Sequence, residues 1–158
     1  MDRKARAMPS GAPDGSLTCL VVGTDDWAID QGALSLTMAG HEVARCHESG
    51  DPVFPCRALQ PGGRCPLDSG VDVVVTIRAR PDQLPLPAEI GVVCSLHAGV
   101  PLVVAGLATD HPYTPWAAAI VGSDGDLADA VASAAARTLD LTEDAPEDAD
   151  TPDPSIRG

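Results

Sequence analysis

Short apolar runs recur along the chain, separated by polar stretches of very different lengths. LTCLVVG at 17–23 is rich in β-branched residues and ends in glycine, which predicts a buried strand. The following TDDWAIDQGALSLTMAG places Ile29, Ala33, Leu36 and Ala39 at helical spacing, with Thr24 or Asp25 available as N-cap and Gly40 suited to the position just past the end. HEVARC (41–46) reads as a second strand and VDVVVTI (71–77) as a third, fully buried one. PAEIGVVCSLHAG (87–99) predicts a helix opened by proline and closed by glycine, although Val92 and Val93 are mediocre helix formers. PLVVAG (101–106) and AAAIVG (117–122) predict strands four and five. The last helix, DGDLADAVASAAARTL, carries acids in its first turn and aligns Leu127, Val131, Ala134, Ala135 and Leu139 on one face.

Strands alternating with helices imply a parallel sheet with right-handed crossovers. The expected fold is a single α/β domain over 16–141. It is an open parallel sheet of about five strands in the flavodoxin-like order 2-1-3-4-5, with helices on both faces and a long cysteine-containing loop after strand two. The polar segment 1–15 and the acidic, proline-bearing segment 142–158 have too few apolar residues to offset the entropy of ordering, and both are expected to be disordered.

Composition narrows the function classes. The chain has 158 residues and a formal net charge of −13, with Lys4 its sole lysine. Binding to nucleic acid or to an anionic membrane surface requires clustered cations, so neither is expected. The apolar runs are strand-length, shorter than a membrane span, and no secretory h-region follows the basic residues near the start, so the chain reads as cytoplasmic. In that reducing setting five cysteines are expected to be thiols or ligands rather than structural disulfides.

LVVGTDDW, AGHEV, VPLVVAGLA and AAAIVGSDGDLADAVASAAA together resemble the response-regulator receiver domain over about 17–139. That resemblance implies the flavodoxin-like fold and an acidic pair, Asp25 and Asp26, after strand one. It does not carry over the phosphotransfer chemistry. Where the resemblance calls for an acceptor aspartate, strand three ends in Thr76, Arg78 and Arg80. Ala105-Gly106 stands where a Ser or Thr would follow strand four, and no lysine follows strand five. The expectation is a degenerate receiver-like domain. No GxxxxGK(S/T) or GxGxxG follows strand one, so ATP, NAD and FAD in their usual loops are not expected.

Ligands of open parallel sheets bind beyond the carboxyl ends of the strands. That edge should gather Asp25 and Asp26, Cys46 and His47, Arg78 and Arg80, and Thr109, Asp110 and His111. With strands one and three adjacent, Asp25/Asp26 facing Arg78/Arg80 predict either an ion pair pinning two loops or a site for an anion or metal. Segment 47–70 leaves the same edge. It is much longer than the roughly 2–6 residues of an ordinary βα connection and carries four prolines, a Gly62-Gly63 pair and the cysteines 56 and 65.

Cys46, Cys56 and Cys65, with His47, make a candidate ligand set for Zn²⁺ or an iron–sulfur cluster. The spacing C-x9-C-x8-C matches no common zinc knuckle. Adjacent Cys46 and His47 would point to opposite sides of an extended chain, so Cys94 or His97 are alternative fourth ligands. A redox-active pair or thiols without a special role remain open for the same residues. Cys19, and Cys94 unless recruited, are expected in the core. The function these features imply is a non-catalytic regulatory or binding module, with a protein partner or a second copy as its counterpart. A small cysteine-dependent enzyme, with His47 or His111 as base, is the alternative.

Overall fold

The computed structural model describes residues 15–80, 84–106 and 111–143, with backbone alone for 139–143. The expected disordered segments, apart from Gly15 and the last helical turn, and the edge residues Thr109 and Asp110 lie outside the described residues.

Five strands form one parallel sheet in the order β2-β1-β3-β4-β5: β1 Thr18–Gly23, β2 Glu42–Ala44, β3 Val73–Arg78, β4 Leu102–Gly106 and β5 Ala119–Gly122. The expected topology is the observed one. β1, β3 and β4 are central and buried on both sides, which is why they read as continuous Val/Leu/Ile runs. In β3, alternate residues serve opposite layers. Val73, Val75 and Ile77 join Cys19, Val21, Val103, Ala105 and Val121 in one core. Val74 joins Leu20, Val22, Leu102 and Val104 in the other.

Two helices cover the first core, α1 (Asp26–Met38) through Ala28 and Leu36, and α3 (Leu127–Glu143) through Val131 and Ala134. Asp25 is the N-cap of α1, its carboxylate accepting from Ala28 N at 3.1 Å. The second core is covered differently. Among the described residues only α2 (Ile90–His97), preceded by a 3-10 turn at Pro87–Glu89, packs there as a helix, through Val92. The rest of that face is closed by irregular chain: Cys46 and Leu67 from the loop after β2, and Tyr113 from the β4–β5 connection. The loop thus occupies the layer where a second crossover helix would otherwise lie. No helix among the described residues is long and apolar enough to cross a membrane.

Candidate functional site: four thiols and a buried charge pair

Cys46 stands two residues past β2 and tucks against the second core. Its Sγ lies over the backbone of Gly91 in the first turn of α2, where a Cβ would come within 3.0 Å of the sulfur and 2.8 Å of Val22 Cγ1. Residues three apart share a helix face, so the helix that meets Cys46 at Gly91 presents Cys94 on the same side. Electrostatics agree with that placement. Burial pushes the Cys46 thiol up to about 12, and the thiols of Cys65, Cys56 and Cys94 add to the rise in that order. The Cys94 thiol is raised by desolvation and then by Cys65 and Cys56, against a lowering backbone hydrogen bond.

Four of the five cysteines therefore share one neighbourhood, and all are free thiols. Cys94 is exposed, which corrects its expected place in the core, whereas Cys19 is fully buried in β1. Among the described residues no three His, Cys, Asp or Glu side chains already stand close enough to hold a single metal ion.

The loop that carries Cys56 and Cys65 is held mainly by itself. Its backbone hydrogen bonds, Asp51 N to Glu48 O, Leu59 N to Cys56 O, Gln60 N to Arg57 O, Gly63 N to Gln60 O and Asp68 N to Cys65 O, each join positions three apart. Leu67 is its apolar anchor to the sheet. Shifting Cys56 or Cys65 by a few ångströms would leave the β-ladder hydrogen bonds untouched.

His47 turns elsewhere. With Asp26, Glu48 and Asp51 it lines a cavity of about 60 Å³ at the carboxyl end of β1, which Cys46 also borders. Its Nε2 is buried without a hydrogen-bond partner among the described residues. Such a cavity is large enough for an ordered water.

Arg78 and Arg80 do not share a role. Arg80 is exposed. Arg78 is buried, and it points into the face covered by α2, opposite α1 and its cap Asp25. Its Nε donates to Glu89 Oε1 at 2.7 Å, and its Nη2 donates both to Glu89 Oε2 and to Leu84 O, the latter at 2.8 Å. Glu89 is completed by Leu86 N at 3.1 Å and by Thr76 Oγ1 at 3.5 Å. The expected face-to-face arrangement of Asp25/Asp26 and Arg78/Arg80 thus gives way to a bidentate Arg78–Glu89 pair, because β3 alternates sides and Arg78 falls with Val74 and Thr76. Glu89 is the residue sequence reasoning missed. In PAEIGVV it looks like an ordinary first-turn acid.

His111 packs on the same pair, Nε2 4.0 Å from Glu89 Oε1, while its Nδ1 accepts from Tyr113 N at 3.3 Å. Burial lowers its pKa, Arg78 lowers it further, and Glu89 opposes both. The folded protein thus favours neutral His111. Below the ordinary value of 6.5 the unfolded chain binds a proton that the folded one resists, so stability present above pH 6.5 is lost as the pH falls towards the depressed folded pKa. Urea midpoints measured from pH 8 to pH 5 should decline through this window in the wild type. They should decline less in His111→Asn, whose amide oxygen can still accept from Tyr113 N; equal slopes would assign the acid sensitivity to other groups.

A cysteine nucleophile needs a thiolate and a base within reach. Cys46 is held as a thiol; among the described residues the groups beside His111 are Glu89, Tyr113 and Arg78, while His47 borders the same small cavity as Cys46. The chain matches no protein-family model and no curated protein, so the site stands on its own geometry.

Proposed function

We propose that this protein is a non-catalytic regulatory or binding module, a receiver-like α/β scaffold without phosphotransfer chemistry, in which Cys46, Cys56, Cys65 and Cys94 form a thiolate site for Zn²⁺ or an iron–sulfur cluster. The observation that carries this reading is the convergence of three cysteines from one loop with a fourth from α2, on the face where Cys46 packs against Gly91. Thiolates are the preferred ligands of both candidates, and four of them complete the coordination of either. A loop of local hydrogen bonds can close around such a centre, and the centre would order the loop in return. Phe54 and Leu59, exposed on that loop, suit contact with a protein partner whose access depends on the state of the site.

The test is direct. Protein purified anaerobically without a metal-binding tag should contain about one zinc, or iron with acid-labile sulfide, per chain. The Cys46→Ser/Cys56→Ser/Cys65→Ser variant should contain neither. A metal-free wild type would overturn the metal reading. A free-thiol count that then falls on mild oxidation would establish a redox-sensing loop instead.

A further inference from the structure

We propose that the outer wall of the cysteine loop is a binding pocket for a small phosphate- or sulfate-bearing anion, formed by Arg45, Arg57 and Arg64 around Cys65. The pocket encloses about 280 Å³ and is lined by these three arginines together with Gly62, Gly63, Cys65, Pro66 and Ser69, with no carboxylate among them. Six arginines fall among the described positions: Arg45, Arg57, Arg64, Arg78, Arg80 and Arg137. Half of them converge here, in a chain of net charge −13. Such a concentration against the overall charge is the footprint of an anion rather than of general solubility.

Local backbone geometry builds this arrangement. Gly63 N donates to Gln60 O at 2.9 Å, Gly62 takes φ +74°, and a Cβ on Gly63 would stand 1.8 Å from Arg57 O. The tight reversal that only glycine permits at 63 brings the chain back so that Arg64 faces the same hollow as Arg57. The three guanidiniums keep donors to spare. Arg45 contacts Asp30 through Nη1 at 2.7 Å, and Arg57 contacts Glu48 through Nη1 at 3.5 Å with both side chains more than half exposed. A guanidinium offers five N–H donors, so one Nη contact does not use the fork. Arg64 has no ion-pair partner among the described residues. Three separate forks suit a tetrahedral oxyanion with three or four acceptor oxygens, whereas a carboxylate saturates one fork. Ser69 adds a hydroxyl donor.

The proposal does not require the thiols to hold metal, and its failure is separable from theirs. Full-length protein is titrated with inorganic phosphate and with pyrophosphate by calorimetry, against sodium chloride at matched ionic strength. Saturable binding is expected, tighter for pyrophosphate, and weakened about tenfold or more in Arg57→Gln/Arg64→Gln, since charge-assisted hydrogen bonds are lost. The single Arg64→Gln variant should fall between, and Arg137→Gln, on α3, should match the wild type. The Cys94→Ser variant, whose thiol lies outside the pocket lining, should still bind whatever its metal content. A response to phosphate no different from that to chloride, or one unchanged by the arginine substitutions, would overturn the proposal.

Discussion

Replacing Glu89 with alanine is expected to lower the unfolding free energy by about 3–5 kcal/mol, the usual cost of removing one partner of a buried charge pair. Arg78 is 1% exposed and Glu89 0%, so solvent does not screen the loss. The carboxylate receives Arg78 Nε and Nη2, Leu86 N and Thr76 Oγ1, and its removal orphans several of these donors together. Typical domains have only about 5–15 kcal/mol in total, so Glu89→Ala should sit near the unfolding threshold at 37 °C. Removing both charges should behave differently. Arg78→Met/Glu89→Leu keeps bulk and dissolves the pair, and it should be more stable than Glu89→Leu alone, giving a large non-additive term in the cycle completed by Arg78→Met. Urea denaturation at pH 7 measures all four corners. A Glu89→Ala loss below about 1 kcal/mol would show that water enters and solvates Arg78, and that the pair is not the clasp described here.

That clasp matters for the thiols because of where Glu89 stands. It ends the 3-10 turn at Pro87–Glu89 and immediately precedes α2. Arg78, at the carboxyl end of β3, therefore fixes the start of the helix that two residues later lays Gly91 against Cys46 and five residues later presents Cys94. A buried charge pair and a surface thiol group are linked through one helical turn.

The fold was legible in the sequence wherever burial on both faces left a continuous apolar run. VDVVVTI and PLVVAG admit no other place in a parallel sheet, and Gly40, Asp25 and the acids before Leu127 mark helix ends by local chemistry alone. The site was less legible, for reasons that differ by residue. Arg78 was assigned to the correct edge but the wrong side, since strand adjacency says which loops meet while the two-residue alternation says which face a side chain enters. One residue on from Ile77, which shares its side with Val73 and Val75, Arg78 falls opposite α1. Glu89 has no comparable signal, because its identity as a buried partner depends on how α2 docks. Cys94 lies between: the interval Gly91-x-x-Cys94 is visible in the sequence, but that Cys46 packs on Gly91 is a tertiary fact. Segment 47–70 was recognisable as an insert from its length and prolines, and its 3-10 turns and glycine reversal follow no periodicity that could have been read in advance.

The sharpest consequence of the four-thiol arrangement is a contrast between two neighbours of Cys46. Cys94→Ser should abolish stoichiometric metal or cluster retention, while His47→Asn should preserve it. The candidate set read from the sequence has His47 in that place, because imidazole is a good ligand for zinc, although its adjacency to Cys46 speaks against it. In the folded chain, however, His47 lines the small cavity with Asp26, Glu48 and Asp51, whereas Cys94 is among the groups whose charge the Cys46 thiol feels, together with Cys56 and Cys65. Substituting serine for Cys94 exchanges a soft sulfur donor for a hard oxygen at an exposed position, so a loss of metal would not come from collapse of the core. Metal analysis and, for a cluster, visible absorbance of the anaerobically purified variants decide the matter, with urea midpoints as the control for folding. Retention in Cys94→Ser and loss in His47→Asn would return the fourth position to the imidazole and require the chain after β2 to turn His47 out of its cavity. Loss in Cys94→Ser alone would mean that α2, whose first turn Glu89 immediately precedes, completes the site.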